Sequence, residues 1–173
     1  MTSELVVGAG CFWCSEAAYG LIRGVVSIIP GYAGGTTPNP SYEQVCTGAT
    51  GHAEVVRLEY DPGQVTIEDL LDVFLMIHDP TSLNRQGNDV GTQYRSILLY
   101  SNEEDRPRIE AYLAKAQQNY RRPIVTEVKK LEVFYPAEEY HRNYFKLHPK
   151  EAYCQVVIAP KIKKVIRQVS VGP

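Results

Sequence analysis

The chain has 173 residues, 44% hydrophobic and 22% charged. This is the usage of an ordinary globular domain over residues 1–173, and it excludes disorder, collagen-like repeats and a disulfide-rich mini-scaffold. A formal net charge of −2 supplies no positive field to gather phosphate backbones, and no apolar run reaches membrane-spanning length, so neither nucleic acid nor a membrane is an expected partner.

In chain order, Glu4 to Gly8 is a short apolar run that meets Ala9 and Gly10, a strand entering a tight turn. A helix is expected from about Cys11 to Leu21. Gly24 to Ile29 reads as a second strand, ended by Pro30 and Gly31 before a loop that lasts through Pro40. Ser41 can cap a short helix over Tyr42 to Cys46. Ala53 to Tyr60 has a strand pattern in which Val55, Val56 and Leu58 sit among Glu54, Arg57 and Glu59. Thr66 with Asp69 approximates a capping box, and Leu70, Leu71, Phe74, Leu75 and Ile77 give helical spacing up to Asp79 and Pro80.

Beyond it, Thr81 to Gly91 is expected to be a polar loop and Ser96 to Tyr100 a strand. Asn102 to about Tyr120 reads as a helix that tolerates Pro107 in its first turns. Ile124 to Phe134 reads as one strand and Glu138 to Leu147 as another helix, while Lys161, Lys163, Lys164 and Arg167 form a solvated helix face. The alternation implies an α/β arrangement with crossover connections and some parallel pairing.

Met1 to Gly10 lacks the pattern of a secretion signal, so a cytoplasmic location is expected. There the four cysteines read as buried hydrophobes, metal ligands or redox thiols. Cys11 follows a glycine turn where a helix should begin, and the unpaired N–H groups there favour a thiolate, which lowers a thiol pKa from about 8.5. Cys14 lies one helical turn on, with Cα atoms on the order of 5 Å apart, within disulfide range.

These residues open a longer correspondence. Gly10, Cys11, Phe12, Trp13 and Glu16 are followed by Gly31 to Gly35, Asn39 to Cys46, Thr47, Gly48, Thr50 to Glu54, and Arg85 to Ser96. In this order the chain resembles the peptide methionine sulfoxide reductase A family nearly end to end. The resemblance implies an α/β domain (α+β sandwich-like) with a central mixed β-sheet flanked by helices. It also implies reduction of methionine S-sulfoxide, protein-bound or free, with thioredoxin as the reductant. No cofactor and no metal are expected, and a monomer is expected.

Breaking an S=O bond needs a nucleophile at sulfur and a proton for the departing oxygen, which a carboxyl supplies at neutral pH when an apolar pocket raises its pKa. The strand pattern alone would leave Glu54 an ordinary solvent-facing carboxylate; the resemblance makes it this acid. It likewise places Tyr42, Tyr94 and Asp89 about the oxygen, while the rings of Phe12 and Trp13 suit a wall for the substrate methyl. Glu16 and His52 read as structural.

The sulfenic acid left on Cys11 condenses with a nearby thiol. The family's commonest motif has glycine at position 14 and resolves through a C-terminal cysteine, whereas a subgroup carries cysteine there, as here. Cys14 and Cys154 are therefore both expected to take part, with Cys46 a buried structural thiol. Two other classes remain open: a general thiol-disulfide oxidoreductase, which would not need Glu54, and a zinc module built on Cys11, Cys14, Cys46 and Cys154.

Overall fold

The computed structural model describes residues 1–169. Its centre is a six-stranded sheet. The strands are β1 (Ser3–Ala9), β2 (Val25–Ala33), β3 (Ala53–Tyr60), β6 (Ser96–Tyr100), β7 (Glu127–Lys130) and β8 (Phe134–Pro136), in the order β7-β6-β1-β3-β2-β8. A separate ribbon joins β4 (Arg85–Gln86) to β5 (Asp89–Val90). The sheet is mixed, but only β6 and β7 run parallel, joined through α4 (Asp105–Ala116). The other neighbours are antiparallel, so the alternation of elements overstated the crossovers.

Antiparallel pairing gathers distant motifs at one end of the sheet. Ala9, at the end of β1, stands opposite Ser96 at the start of β6. Ala33, at the end of β2, faces Ala53 at the start of β3, and Tyr32 faces Glu54. The Cys11 turn, the Glu54 strand entrance and the Tyr94 segment therefore share one rim.

Both sheet faces are dry. Along β1, Leu5 and Val7 join a core with α1 (Phe12–Tyr19), α3 (Ile67–Ile77) and α6 (Ala159–Gln168), while Val6 points to the opposite face. That second face, with Val55, Ile97 and Leu99, carries no helix among the described residues and is covered by Leu131 and Phe134. The helices thus cover one face rather than flank both. Residues 124–134 accordingly do not form the single strand expected. After β7 on one edge the chain crosses this apolar face and reappears as β8 on the other, because the exposed apolar row must be covered.

The capping box at α3 forms: Asp69 N–H donates to Thr66 Oγ1 at 3.1 Å and Thr66 N–H to Asp69 Oδ2 at 2.9 Å. Ser41 caps α2 (Tyr42–Cys46) in the same way, with Gln44 as its reciprocal partner. The α4 helix is shorter than expected at both ends and carries Pro107 in its first turn. Its last turn tightens to a 3-10 turn over Gln117–Asn119.

The helix expected over 138–147 is broken into a 3-10 turn, Glu139–His141, and α5 (Tyr144–Leu147). Asn143 between them adopts φ 54°, and its N–H donates to Glu16 Oε1 at 2.7 Å. A long-range bond to the α1 carboxyl thus replaces a local helical one. Near the C-terminus a π-helical turn, Cys154–Ile158, runs into α6, where Val165 is buried; of the face expected to be solvated, Lys163, Lys164 and Arg167 are exposed and Lys161 is half-buried. Among the described residues no helix is long and apolar enough to cross a membrane.

Candidate active site

Cys11 is the residue before the first turn of α1, and its side chain caps nothing. The preceding Gly10 has φ +88°, and a Cβ there would also meet the Gln86 side chain at 3.0 Å, so this turn needs glycine. Gln86 in turn grips Asp79: its Oε1 accepts the Asp79 N–H at 3.0 Å and its Nε2 donates to the Asp79 carbonyl at 2.8 Å. The β4–β5 ribbon is thereby anchored beside the turn, which brings Asp89 to the rim.

Glu54 is 2% exposed. Its Oε1 accepts the Phe12 N–H at 3.2 Å, the amide directly after Cys11. Burial pushes its pKa up to about 8; the Phe12 bond opposes this and Asp89 adds to it. The carboxyl is therefore mainly protonated at neutral pH.

The lowered pKa expected for Cys11 is not found. Burial of the sulfur and the neighbouring Glu54 carboxyl raise it well above the ordinary thiol value, outweighing the Trp13 backbone N–H and the Tyr153 hydroxyl. Desolvation exceeds the helix-terminus effect here, so both groups hold their protons in the resting site.

Three tyrosines face these groups. Burial raises Tyr42 and Tyr94, and the Glu54 carboxyl adds to both. Tyr153 donates to Asp89 Oδ2 at 2.6 Å; its hydroxyl also lies against the Cys11 sulfur, and burial with the nearby Cys11 sulfur and Asp89 carboxyl raises it strongly. All three phenols are thus held as neutral hydrogen-bond donors.

Phe12 is 1% exposed and packs on Tyr32 and His141, with ring centroids 5.7 and 4.9 Å away. Trp13 is half-buried, stacks on Tyr144 at 3.7 Å and donates its indole N–H to His141 Nδ1 at 3.0 Å. An indole only donates, so His141 carries its proton on Nε2. Its burial lowers its pKa and keeps it neutral. Glu138 pins the same segment, accepting the Tyr32 hydroxyl at 3.0 Å and the Tyr42 N–H at 2.9 Å.

The four cysteines are free. Cys14 and Cys154 are buried in the helix-side core, and burial raises both thiols, with Lys161 partly offsetting this at Cys14. Cys46, expected to be buried, is exposed: it ends the short helix α2, whose inward position is filled by Val45, and its thiol lies beside the Tyr42 hydroxyl. Among the described residues no group of three or more His, Cys, Asp or Glu side chains is placed to hold a metal ion. The four thiols of the zinc alternative are not gathered.

Glu16 and His52 both bond to backbone. Glu16 holds Asn143, while His52 Nδ1 accepts the Gly35 N–H at 3.0 Å and Nε2 donates to the Thr37 carbonyl at 2.7 Å. A Cβ on Gly35 would sit 2.2 Å from the His52 nitrogen of the backbone, so this loop closes only over glycine. Arg95 ties three rim segments together by donating to the carbonyls of Thr92, Gly34 and Gly51.

The chain is similar to known proteins in sequence and in fold. Residues 3–171 match the profile of the family described as peptide methionine sulfoxide reductase. The chain belongs to that family. Peptide methionine sulfoxide reductase MsrA of Nautilia profundicola is 56% identical over 166 residues, covering 95% of this chain and 94% of its own. Among solved structures, reduced Mxr1 from Saccharomyces cerevisiae superposes with a TM-score of 0.84 at 36% identity, covering 88% of this chain and 89% of that one. Mxr1 in complex with Trx2 gives 0.61 at 26% identity, with 83% and 84% covered.

Three residues that the sequence did not single out stand among these groups: Tyr153, His141 and Glu138. Tyr153 adjoins Cys154 in sequence, and nothing in its local pattern marks it. The other two fall where a regular helix was expected, and a helix would have aimed them elsewhere.

Proposed function

We propose that this chain reduces methionine sulfoxide to methionine with Cys11 as the nucleophile and Glu54 as the general acid. The observation that carries the reading is a buried, protonated carboxyl hydrogen-bonded to the amide next to a part-exposed thiol. A disulfide oxidoreductase needs no such acid.

The Cys11 sulfur bonds to the sulfoxide sulfur while Glu54 gives its proton to the oxygen, and the thiol proton passes through the Glu54 carboxylate to the same oxygen, which leaves as water. A water then adds to the Cys11 sulfur, breaking the new S–S bond, releasing the thioether and returning a proton to Glu54. Tyr42 and Tyr94 donate hydrogen bonds to the oxygen as its negative charge grows, and Asp89 holds the Tyr153 hydroxyl beside the sulfur. Phe12 and Trp13 receive the methyl group. In sum, S–H and S=O become S–OH and a thioether: the sulfoxide gains two electrons and Cys11 loses two.

A thiol of Cys14 or Cys154 then condenses with the sulfenic acid, forming a disulfide and releasing water. A dithiol protein returns both sulfurs to thiols; the solved complex of yeast Mxr1 with Trx2 supports a thioredoxin-type donor. The S epimer is the substrate expected of a class A reductase.

Cys11→Ser tests this reading. Turnover of methionine S-sulfoxide with dithiothreitol should vanish in the folded variant, and undiminished turnover would remove Cys11 from the reaction.

A further inference from the structure

Cys11 opens onto a groove of about 640 Å³ beside the π-helical turn and α6. Glu54, Tyr42 and Tyr94 do not line it, and Asp89 and Tyr153 join it to the site at Cys11. Its apolar wall includes Met76, Val157 and Val156, the last of which is 73% exposed. Lys161 and Lys164 stand at its edge, one helical turn apart on the same face of α6.

The charges in the groove are not equivalent. Its two carboxylates are engaged internally: Asp89 accepts the Tyr153 hydroxyl at 2.6 Å, and Asp79 accepts from Thr81 and pairs with Arg122 at 3.2 Å. Neither lysine has a carboxylate within ion-pair range among the described residues. Two lysines without an ion-pair partner therefore stand next to apolar surface at the α6 edge of the groove, while the Asp89 carboxylate lies at its Cys11 end beside Tyr153.

We infer that this groove takes the polypeptide flanking the oxidised methionine, and that Lys161 and Lys164 select an acidic residue there. The inference rests on the reduction of methionine sulfoxide at Cys11. A substrate polypeptide whose sulfoxide reaches Cys11 must leave over the adjoining surface. A reductant fits this groove less well, because it must also release the resolving sulfurs, and Cys14 and Cys154 are buried outside the lining.

The test compares two methionine S-sulfoxide peptides, identical except that aspartate and glutamate flank the sulfoxide in one and asparagine and glutamine in the other. Dithiothreitol is the reductant. The wild-type kcat/KM ratio should favour the acidic peptide, and added salt should shrink that preference. The ratio should fall to near one in Lys161→Gln/Lys164→Gln and invert in Lys161→Glu/Lys164→Glu, a total change of about tenfold. Because each ratio is taken within one protein, a general effect on turnover cancels, and the wild-type ratio with its salt dependence decides the matter even if a variant fails to fold. Equal ratios at all salt concentrations would overturn the inference alone, as would an effect confined to assays driven by thioredoxin. Absence of turnover on both peptides would overturn the functional reading with it.

Discussion

The Phe12 amide donates to the Glu54 carboxyl at 3.2 Å, fixing the acid to the helix turn that carries the nucleophile. With its pKa pushed up to about 8 by burial, Glu54 keeps its proton below that pH and loses it above. The rate of sulfoxide reduction should therefore fall as pH rises through about 8. Glu54→Gln should lose about 10²- to 10⁴-fold in kcat and show no such limb. A stopped-flow pH profile of both proteins checks this; a Gln variant with wild-type kcat removes Glu54 from the chemistry.

The same shift has a consequence for stability. In the unfolded chain Glu54 ionises near 4.5, the ordinary value, but in the fold only near 8. The folded state thus binds more protons between these values, and the stabilisation present at low pH is lost as pH rises through the window. Glu54→Gln has no such loss. The melting temperature of the variant should gain on the wild type from pH 4.5 to about 8 and then hold level, and parallel curves would refute the linkage.

How much of this was legible in the sequence depends on the range of the interactions. The alternation of Val55, Val56 and Leu58 and the Thr66–Asp69 cap are local patterns, and both formed as read. Glu54 sits in that strand as one more alternating polar residue, and the strands that bury it, β1 and β2, lie more than twenty residues away in sequence. Spacing alone therefore misread its environment, and only the family resemblance singled it out. Residues 124–134 failed for a related reason: the need to cover the second sheet face is set by Val6, Val55 and Ile97, not by the segment itself. The Cys11 pKa went wrong because a helix terminus is visible in a sequence while desolvation is not.

Tyr153 joins Asp89 to the nucleophile. Removing its hydroxyl should leave the packing of its ring against Trp13, centroids 5.9 Å apart, but strip the sulfur of a polar neighbour. Tyr153→Phe should fold normally and lose about ten- to a hundredfold in kcat with dithiothreitol. A kcat within twofold of wild type, by about the error of such comparisons, would make this tyrosine purely structural.

The bond from Trp13 to His141 at 3.0 Å fixes the indole proposed to receive the substrate methyl. His141→Leu leaves the half-buried indole donor unpaired, a loss of about 1–3 kcal/mol, and should raise KM for peptide sulfoxide by about tenfold with a smaller change in kcat. His141→Gln supplies an acceptor and should recover part of the loss. Equal KM values in the two variants would show that the ring's packing matters and its nitrogen does not.

The resolving step gives the sharpest test of the relay. Cys14 N–H donates to the Cys11 carbonyl at 3.2 Å, so the two residues share one tight turn. Cys154 opens a π-helical turn and is buried in the helix-side core. Cys14 can therefore meet the sulfenic acid by distorting one turn, whereas Cys154 must first leave the core. The Cys11–Cys14 disulfide should form first and pass to Cys154 by exchange. In that order Cys154→Ser traps Cys11–Cys14 after one turnover, seen by mass spectrometry, and Cys14→Ser slows disulfide formation while leaving sulfenic acid on Cys11. Both variants should turn over with dithiothreitol, which reaches Cys11 directly, and both should lose thioredoxin-supported turnover. Normal rates on thioredoxin in both would exclude the relay, and a rapid Cys11–Cys154 bond in the Cys14→Ser variant would reverse its order.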